Sequence, residues 1–251
     1  MFSRTSIQTK ANIISISLSL AATFIITALL IILIGKNPIE VFGNMFSEVF
    51  LSGYGIGQTL FKTTPLIICG CGLAFCFHAS IFNIGAEGQL NAGAFAMSLI
   101  ALKLGAFPWY ISIIICIVVA FGVSALFGLI PAIIKIKKDV SEVSTTIMMK
   151  FIIMALINYF LVDFFAVKST MHTEKIPEDM MLMKFSSITS FFQGSSLNIS
   201  FIIALALAVI SYIVIYKTKF GYEIRAVGFN PSASKYIGLS PDKIIIITFI
   251  I

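Results

Sequence analysis

The stretch ANIISISLSLAATFIITALLIILI, from Ala11 to Ile34, decides the fold class of this chain. It carries no charged residue and exceeds the roughly 20 apolar residues that a helix needs to cross the hydrocarbon core of a bilayer. It is longer than the apolar core of a signal peptide and lacks a cleavage site made of small residues. We therefore expect a membrane-spanning helix that is retained in the mature protein.

The composition extends this conclusion to the whole chain of 251 residues. Hydrophobic side chains make up 59% of the sequence and charged side chains 11%, whereas soluble domains average about 25% charged residues. A soluble domain would need more charge to cover its surface, and a disordered chain would not contain 24 Phe. The predicted fold is all-α, a polytopic transmembrane helical bundle.

Apolar runs of sufficient length predict six complete spans and the start of a seventh. The seventh run begins at Ile244, and the sequence stops eight residues later at Ile251, after about 12 Å of helix. The six complete spans are Ala11–Ile34, Thr59–Phe77, Ile84–Leu102, Trp109–Ile134, Val143–Phe165 and Ile199–Tyr216.

Basic residues concentrate on one predicted side of the membrane, which predicts a cytoplasmic N-terminus. This distribution explains the net charge of +6 without a nucleic-acid partner. The predicted inner side holds Arg4, Lys10, Lys135, Lys137, Lys138, Lys150, Lys217, Lys219, Arg225, Lys235 and Lys243. The predicted outer side holds Lys36, Lys62, Lys103, Lys168, Lys175 and Lys184.

Two connections are too long for simple hairpins. Residues 168–198 form a predicted extracytoplasmic segment that caps the external mouth or meets a partner. Residues 218–243 form a predicted cytoplasmic segment of one or two short helices, broken by Gly, Pro and Ser. This segment would lie on lipid headgroups or dock a protein, and its short pieces favour a protein partner.

The stretch FNIGAEGQLNAG, from Phe82 to Gly93, places polar residues at the head of an apolar helix. A carboxylate such as Glu87 near hydrocarbon usually faces a bundle interior or a water-filled cavity. Gly85 and Gly88 permit close backbone approach. Two interpretations stay open: a polar pathway, or small-residue packing with Glu87 extending to the membrane edge.

The stretch DVSEVSTTIMMK, from Asp139 to Lys150, opens the fifth span. Asp139 or Ser141 is a candidate helix cap, and Glu142 suits the positive end of the helix dipole. Lys150 lies about two turns into the span, where it extends toward the inner side or pairs with an acid such as Glu142.

No enzyme motif is present in the sequence. His78 and His172 are isolated, and neither a zinc-protease, a serine-hydrolase nor a P-loop motif occurs. Any ATP hydrolysis linked to this chain belongs to another polypeptide. The four cysteines lie in apolar runs and are predicted to pack in the core rather than to bind metal: Cys69, Cys71, Cys76 and Cys116.

The motifs FNIGAEGQL, SEVSTTIMM and TKFGYEIRAVGFNPSASKYIGLS resemble the permease subunits of bacterial ABC importers for simple sugars and nucleosides. The resemblance runs from about Leu60 to the end, and the NIGAEGQ form is more similar to the nucleoside branch. It implies a multi-pass protein of the bacterial cytoplasmic membrane without a cofactor of its own. The implied partners are an ATPase that holds ATP and Mg²⁺, a second permease subunit and an extracytoplasmic substrate-binding lipoprotein.

The resemblance also assigns residues. It places Asn83, Glu87, Gln89, Asn91, Glu142, Ser144 and Thr145 along the substrate pathway. It places Gly221, Glu223, Arg225, Gly228, Asn230, Pro231 and Gly238 on the surface that couples to the ATPase. Relatives often carry Asn at the position of Ser141 and an Asn-Tyr pair in place of Lys150 and Phe151.

The resemblance further implies that the chain is one transmembrane permease domain, residues 1–251, shortened at its C-terminus. Two other classes stay open beside the importer. In an ion-coupled secondary transporter or a channel, Glu87 or Asp163 would be the ion site. A structural membrane partner would contain no conduit.

Overall fold

The computed structural model describes residues 2–104, 107–167, 170, 172–177 and 181–251, with side chains from residue 12 onward. The described part contains ten α-helices and no β-strand beyond one isolated antiparallel bridge, between Lys184 and Asn198. The helices are α1 (Phe2–Leu33), α2 (Pro38–Phe50), α3 (Gly53–His78), α4 (Ala86–Lys103), α5 (Trp109–Lys138), α6 (Glu142–Phe160), α7 (Ser200–Lys217), α8 (Lys219–Phe229), α9 (Pro231–Tyr236) and α10 (Pro241–Ile250).

Five helical segments in the described residues are long and apolar enough to cross a membrane. They are Asn12–Leu33, Gly53–His78, Trp109–Lys138, Glu142–Phe165 and Ser200–Lys217. The last turn of the fourth segment is π-helical, over Leu161–Phe165. The all-helical fold is therefore confirmed, with five candidate membrane spans in the described residues.

The expected count of six complete spans is not confirmed. The missing span corresponds to α4, which has 18 residues but is less apolar than the other five. Glu87, Gln89 and Asn91 in its first two turns lower its hydropathy. By length, α4 extends for about 27 Å.

The helices α3 to α7 form the bundle, and α4 lies at its centre against α5 and α6. Small residues permit this packing: a methyl group at Gly93 would lie 2.8 Å from the carbonyl oxygen of Ala120 on α5. The Ser124 hydroxyl donates to the Gln89 carbonyl oxygen across 2.9 Å. The two helices are thus held in close contact along their length.

The helix α1 touches the rest of the protein mainly through α2. None of its span is buried, and the rings of Phe24 and Phe42 lie 5.5 Å apart where the two helices meet. The helix α2 begins where the sequence dictates, with Pro38 in its first turn and the Asn37 side chain accepting from the Ile39 N–H across 3.0 Å. The other helices therefore pack against one another with few contacts from α1.

A buried apolar cluster joins α3, α5, α7, α8 and α10 at one end of the bundle, which we call the α8 end. Phe249 and Ile224 are almost fully buried there. The helix α10 begins at Pro241, three residues before the predicted start at Ile244. The cluster comprises Phe75, Cys76, Ala79, Ile81, Ala132, Ile215, Ile224, Val227, Ile244 and Phe249.

The segment predicted to be extracytoplasmic, residues 168–198, is described in part. Residues 168, 169, 171 and 178–180 lie outside the described residues. The remainder includes 3₁₀ turns at Phe185–Ser187 and Ser190–Phe192. The second turn packs on the start of α3, where a methyl group at Gly57 would lie 2.7 Å from Ser195 Cβ.

Candidate functional site

The turn between α3 and α4 is fixed by Asn83. This side chain is buried, and its Oδ1 accepts a hydrogen bond from the Gly85 N–H across 3.1 Å. The bond satisfies a backbone donor just before α4 begins at Ala86. Asn83, expected along the pathway, is therefore used to shape the turn.

The two glycines of the α4 head lie against α6. A methyl group at Gly85 would lie 2.8 Å from the Thr146 carbonyl oxygen, and one at Gly88 would lie 2.9 Å from Lys150 Cα. Side chains at these positions would push the helices apart. The glycines therefore bring α4 and α6 into backbone contact.

This contact brings two opposite charges together. Lys150 Nζ on α6 lies 2.6 Å from Glu87 Oε2 on α4, and the residues are 63 positions apart in sequence. The sequence suggested Glu142 as a partner for Lys150. Glu142 instead pairs with Lys135 on α5, with 3.2 Å between Oε2 and Nζ.

The next turn of α4 continues the same seam. Asn91 follows Glu87 by four residues, so the two side chains share one face of the helix. Asn91 Nδ2 lies 3.6 Å from Met154 Sδ, one turn beyond Lys150 on α6. We call Glu87, Lys150, Asn91 and Met154 the α4–α6 seam.

Gln89 lies on a different side of α4. Its Nε2 is buried and makes no hydrogen bond within the described part of the chain. It faces α5, where a methyl group at Gly128 would lie 3.2 Å from it. Gln89 is therefore not on the same surface as Glu87 and Asn91.

The polar residues that open α6 do not form one surface either. The Thr145 hydroxyl donates to backbone carbonyls of its own helix, at Ser141 and Glu142, across 3.2 and 3.1 Å. Ser144 is exposed. Ser141 occupies the N-cap position, but its side chain accepts no capping hydrogen bond from the described backbone. Asp139 instead ends α5 in a left-handed conformation, with φ of 50°.

The residues assigned to ATPase coupling lie mainly on α8, and two of them lie on the face of α8 that packs against the protein. Gly221 packs against the backbone carbonyls of Val214 and Ile215 on α7, and Gly228 packs against the His78 carbonyl. Neither position has room for a side chain. These glycines therefore let α8 lie flat on the ends of α7 and α3.

Arg225 also contacts the protein itself. Its guanidinium lies 5.4 Å from the centroid of the Tyr216 ring and donates a hydrogen bond to the Ile215 carbonyl. Glu223 is half-buried. Arg225 would therefore contribute to coupling by holding α8 in position against α7.

The rest of the assigned positions build α9. The Asn230 side chain accepts from the Ala233 N–H across 3.0 Å, and Pro231 occupies the first helical position. Gly238 follows the helix with φ of +84°, a value that L side chains rarely adopt. These residues start and end α9 as their types predict.

Sequence reasoning missed two exposed aromatic side chains at this end. Phe229 is 91% exposed and Tyr236 is 93% exposed, at the ends of α8 and α9. Ile237 beside them is 64% exposed. The sequence carries a signal for them, because bulky apolar residues stand there in a segment otherwise rich in polar and small residues.

His78 was also missed as a structural contact. Its Nδ1 lies 2.8 Å from the Ala74 carbonyl oxygen and its Nε2 lies 3.0 Å from the Tyr216 hydroxyl. A carbonyl only accepts, so in the neutral ring Nδ1 carries the proton and Nε2 accepts from Tyr216. The contact ties the end of α3 to the end of α7.

Metal-binding geometry is not found in the described residues, where no three His, Cys, Asp or Glu side chains come together. What the site offers chemically is hydrogen bonding. The α4–α6 seam presents a carboxylate, an ammonium and an amide. Such groups can donate hydrogen bonds to a polar solute and accept them from it.

Comparison with known proteins gives a consistent result. The profile of the family described as "Branched-chain amino acid transport system / permease component" matches residues 55–251. The chain is 34% identical over 241 residues to the guanosine ABC transporter permease protein NupP of Bacillus subtilis, covering 95% of this chain and 67% of that protein. It is 31% identical over 232 residues to the nucleoside ABC transporter permease protein NupB of Lactococcus lactis, covering 91% and 64%.

A third relative is named for a different solute. The chain is 26% identical over 246 residues to the glucose ABC transporter permease protein TsgB13 of Haloferax volcanii, covering 93% of this chain and 63% of that protein. The chain thus spans about two thirds of the length of these relatives. No solved structure matches the chain significantly.

Proposed function

Because the chain belongs to the family of branched-chain amino acid transport system permease components, we propose that it forms part of the membrane pathway of an ABC importer for nucleosides. The observation that carries the proposal is that α4 begins with polar side chains in a chain that belongs to a family of permeases. Two relatives more than 30% identical to the chain are named for guanosine or nucleoside transport. A simple sugar is the second solute class, because one relative is named for glucose.

The proposed pathway includes the α4–α6 seam. Glu87 and Asn91 lie there on one helix face, and each contacts α6. Hydrogen bonds from these groups would replace water around the hydroxyls of a nucleoside. Weak, exchangeable contacts suit a conduit because the solute must also leave.

Uptake of labelled guanosine by cells that make the complete complex tests this proposal. Glu87→Ala is expected to abolish most of the uptake, because it removes the carboxylate and leaves Lys150 without its partner. Glu48→Ala on α2 is the matched control, since Glu48 is exposed and lies outside the seam. Unchanged uptake with Glu87→Ala would favour the packing interpretation of the α4 head.

The proposed ATPase contact is the surface of α8 and α9. Phe229, Tyr236 and Ile237 project from it, while Gly221 and Gly228 fix the helix against the bundle. Exposed aromatic side chains are common anchors at protein interfaces. ATP and Mg²⁺ would be bound by the ATPase, and closure of its two modules would move α8.

The proposed orientation follows the distribution of basic residues, with the N-terminus and the α8 end in the bacterial cytoplasm. The substrate-binding lipoprotein would then meet the opposite end, and a second permease subunit would complete the pathway. A reporter enzyme active only outside the cytoplasm tests this orientation. It should be active when fused after Thr189 and inactive when fused after Asp139.

The ion-coupled alternative places its ion at Glu87 or Asp163. In the structure the Glu87 carboxylate is already bound by Lys150 Nζ. A sodium ion or proton would have to displace this ammonium. The ion pair therefore argues against an ion at Glu87, while an ion at Asp163 is tested by the dependence of uptake on ion gradients.

A further inference from the structure

Two residues of the α4–α6 seam, Lys150 and Met154, were not assigned to the pathway by any sequence motif, and Lys150 is the charged one of the two. Its Nζ lies 2.6 Å from Glu87 Oε2. The position is set by the backbone, because Gly88 lets Lys150 Cα approach α4 closely. The pair is therefore held by helix packing as well as by charge.

Lys150 reaches across to α4 and not back toward the nearest end of its own helix. It follows Glu142 by eight residues, which is about 12 Å along α6. Glu87 is 62% exposed by side chain and Lys150 is 30% exposed. Exposing a carboxylate and an ammonium to lipid chains about 12 Å into a span costs free energy. We therefore expect this surface to face water or protein.

The charges on this surface balance. Glu87 supplies one negative charge and Lys150 one positive charge, and the next turn adds the uncharged Asn91 and Met154. The other acid of α6, Glu142, is bound by Lys135 at 3.2 Å. The seam is thus rich in donors and acceptors but carries no net charge.

We propose that Lys150 is a specificity-determining residue, whose ammonium cancels the charge of Glu87 and so adapts the pathway to uncharged, hydroxyl-bearing solutes. The inference rests on the proposed function, since it assigns a role within that pathway. Removing one partner leaves a single charge on the seam. That charge attracts solutes of opposite sign and repels those of like sign.

The test uses three variants and three solutes. Lys150→Gln leaves a negative seam, Glu87→Gln leaves a positive seam, and the double variant is neutral again. The solutes are guanosine, the cationic 5′-amino-5′-deoxyguanosine and the anionic guanosine-5′-carboxylic acid. Uptake of each is measured in cells with the complete complex, and the binding protein is the same in every strain.

The expected result is a change of selectivity in opposite directions. Lys150→Gln should raise the uptake ratio of cationic solute to guanosine on the order of tenfold, from one uncompensated charge a few ångströms away. Glu87→Gln should raise the ratio of anionic solute to guanosine similarly. The double variant should return both ratios close to those of the unmodified protein.

A purely structural role would give another result. Single variants would then change the uptake of all three solutes by the same factor, and uptake ratios equal to those of the unmodified protein would overturn the inference. Lys103→Gln, at the other end of α4, is the control for total charge and should leave both ratios unchanged. Guanosine uptake that does not depend on the complex would instead count against the proposed function.

A variant that fails to assemble is recognised by the amount of chain that co-purifies with the ATPase. The charge exchange Glu87→Lys with Lys150→Glu keeps the test decisive in that case. It restores a neutral pair, so selectivity should match that of the unmodified protein. Selectivity that follows either charge alone would contradict the proposal.

Discussion

Ser80 Oγ donates a hydrogen bond to the Gly228 carbonyl oxygen across 2.8 Å, and this bond joins the α3–α4 turn to α8. The same turn continues through Asn83 to Glu87 at the head of α4. Under the proposed function, a displacement of α8 would reach the proposed pathway through this short, hydrogen-bonded turn.

The first prediction concerns this bond. Ser80→Ala should reduce the number of nucleosides imported per ATP hydrolysed several-fold, because α8 then moves without carrying the turn. A single hydrogen bond contributes about 1 kcal/mol, so the complex should still assemble. The measurement compares uptake with ATP hydrolysis in proteoliposomes. Ser98→Ala is the control, since that hydroxyl donates to Phe95 of its own helix, and equal ratios in both variants would disprove the coupling role.

The second prediction concerns the seat of α8. Gly228→Ala places a methyl group against the His78 carbonyl, which should destabilise the complex by about 1–3 kcal/mol. Thermal unfolding of the purified complex measures this loss. Gly122→Ala on α5 is the matched control, because the added methyl group would have no described atom within 4 Å beyond the chain and backbone next to it in its own helix. Equal unfolding temperatures would show that α8 does not rest on α3.

The third prediction concerns the backbone contact of α4 and α6. Gly88→Ala puts a methyl group 2.9 Å from Lys150 Cα, so the helices must separate and the 2.6 Å ion pair must lengthen. Guanosine uptake and thermal stability should both fall. Gly70→Ala in α3 meets open space and should be neutral or slightly stabilising, since Ala favours a helix over Gly.

Sequence alone predicted the helical membrane fold, because runs such as Ala11–Ile34 follow directly from the thickness of a bilayer. The expected count of six spans is not confirmed at α4, for a related reason. The polar residues that mark its head also make it less apolar than a typical span.

Sequence predicted which polar residues are unusual but not which ones meet. Glu87 and Lys150 are 63 positions apart, and the packing of Gly85 and Gly88 on α6 makes them neighbours. The face of Gln89 could not be assigned either, because several faces of α4 are covered by protein. On such a helix, the positions of the neighbouring helices decide where each polar side chain points.

The fourth prediction concerns the aromatic side chains at the α8 end. Phe229→Ser with Tyr236→Ser should sharply reduce co-purification of the ATPase while leaving the chain folded, because both side chains are more than nine-tenths exposed. Phe107→Ser is the control: Phe107 is also exposed but lies between α4 and α5, away from α8. Full retention of the ATPase by the double variant would place the docking surface elsewhere.

The most direct test of the central claim is the energy source of transport. Proteoliposomes containing the complete complex and the binding protein are loaded with ATP and Mg²⁺, and labelled guanosine uptake is measured. We predict uptake that stops when the ATPase is inactivated and persists when proton and sodium gradients are collapsed. Uptake that survives loss of the ATPase but disappears with an ion gradient would contradict the account.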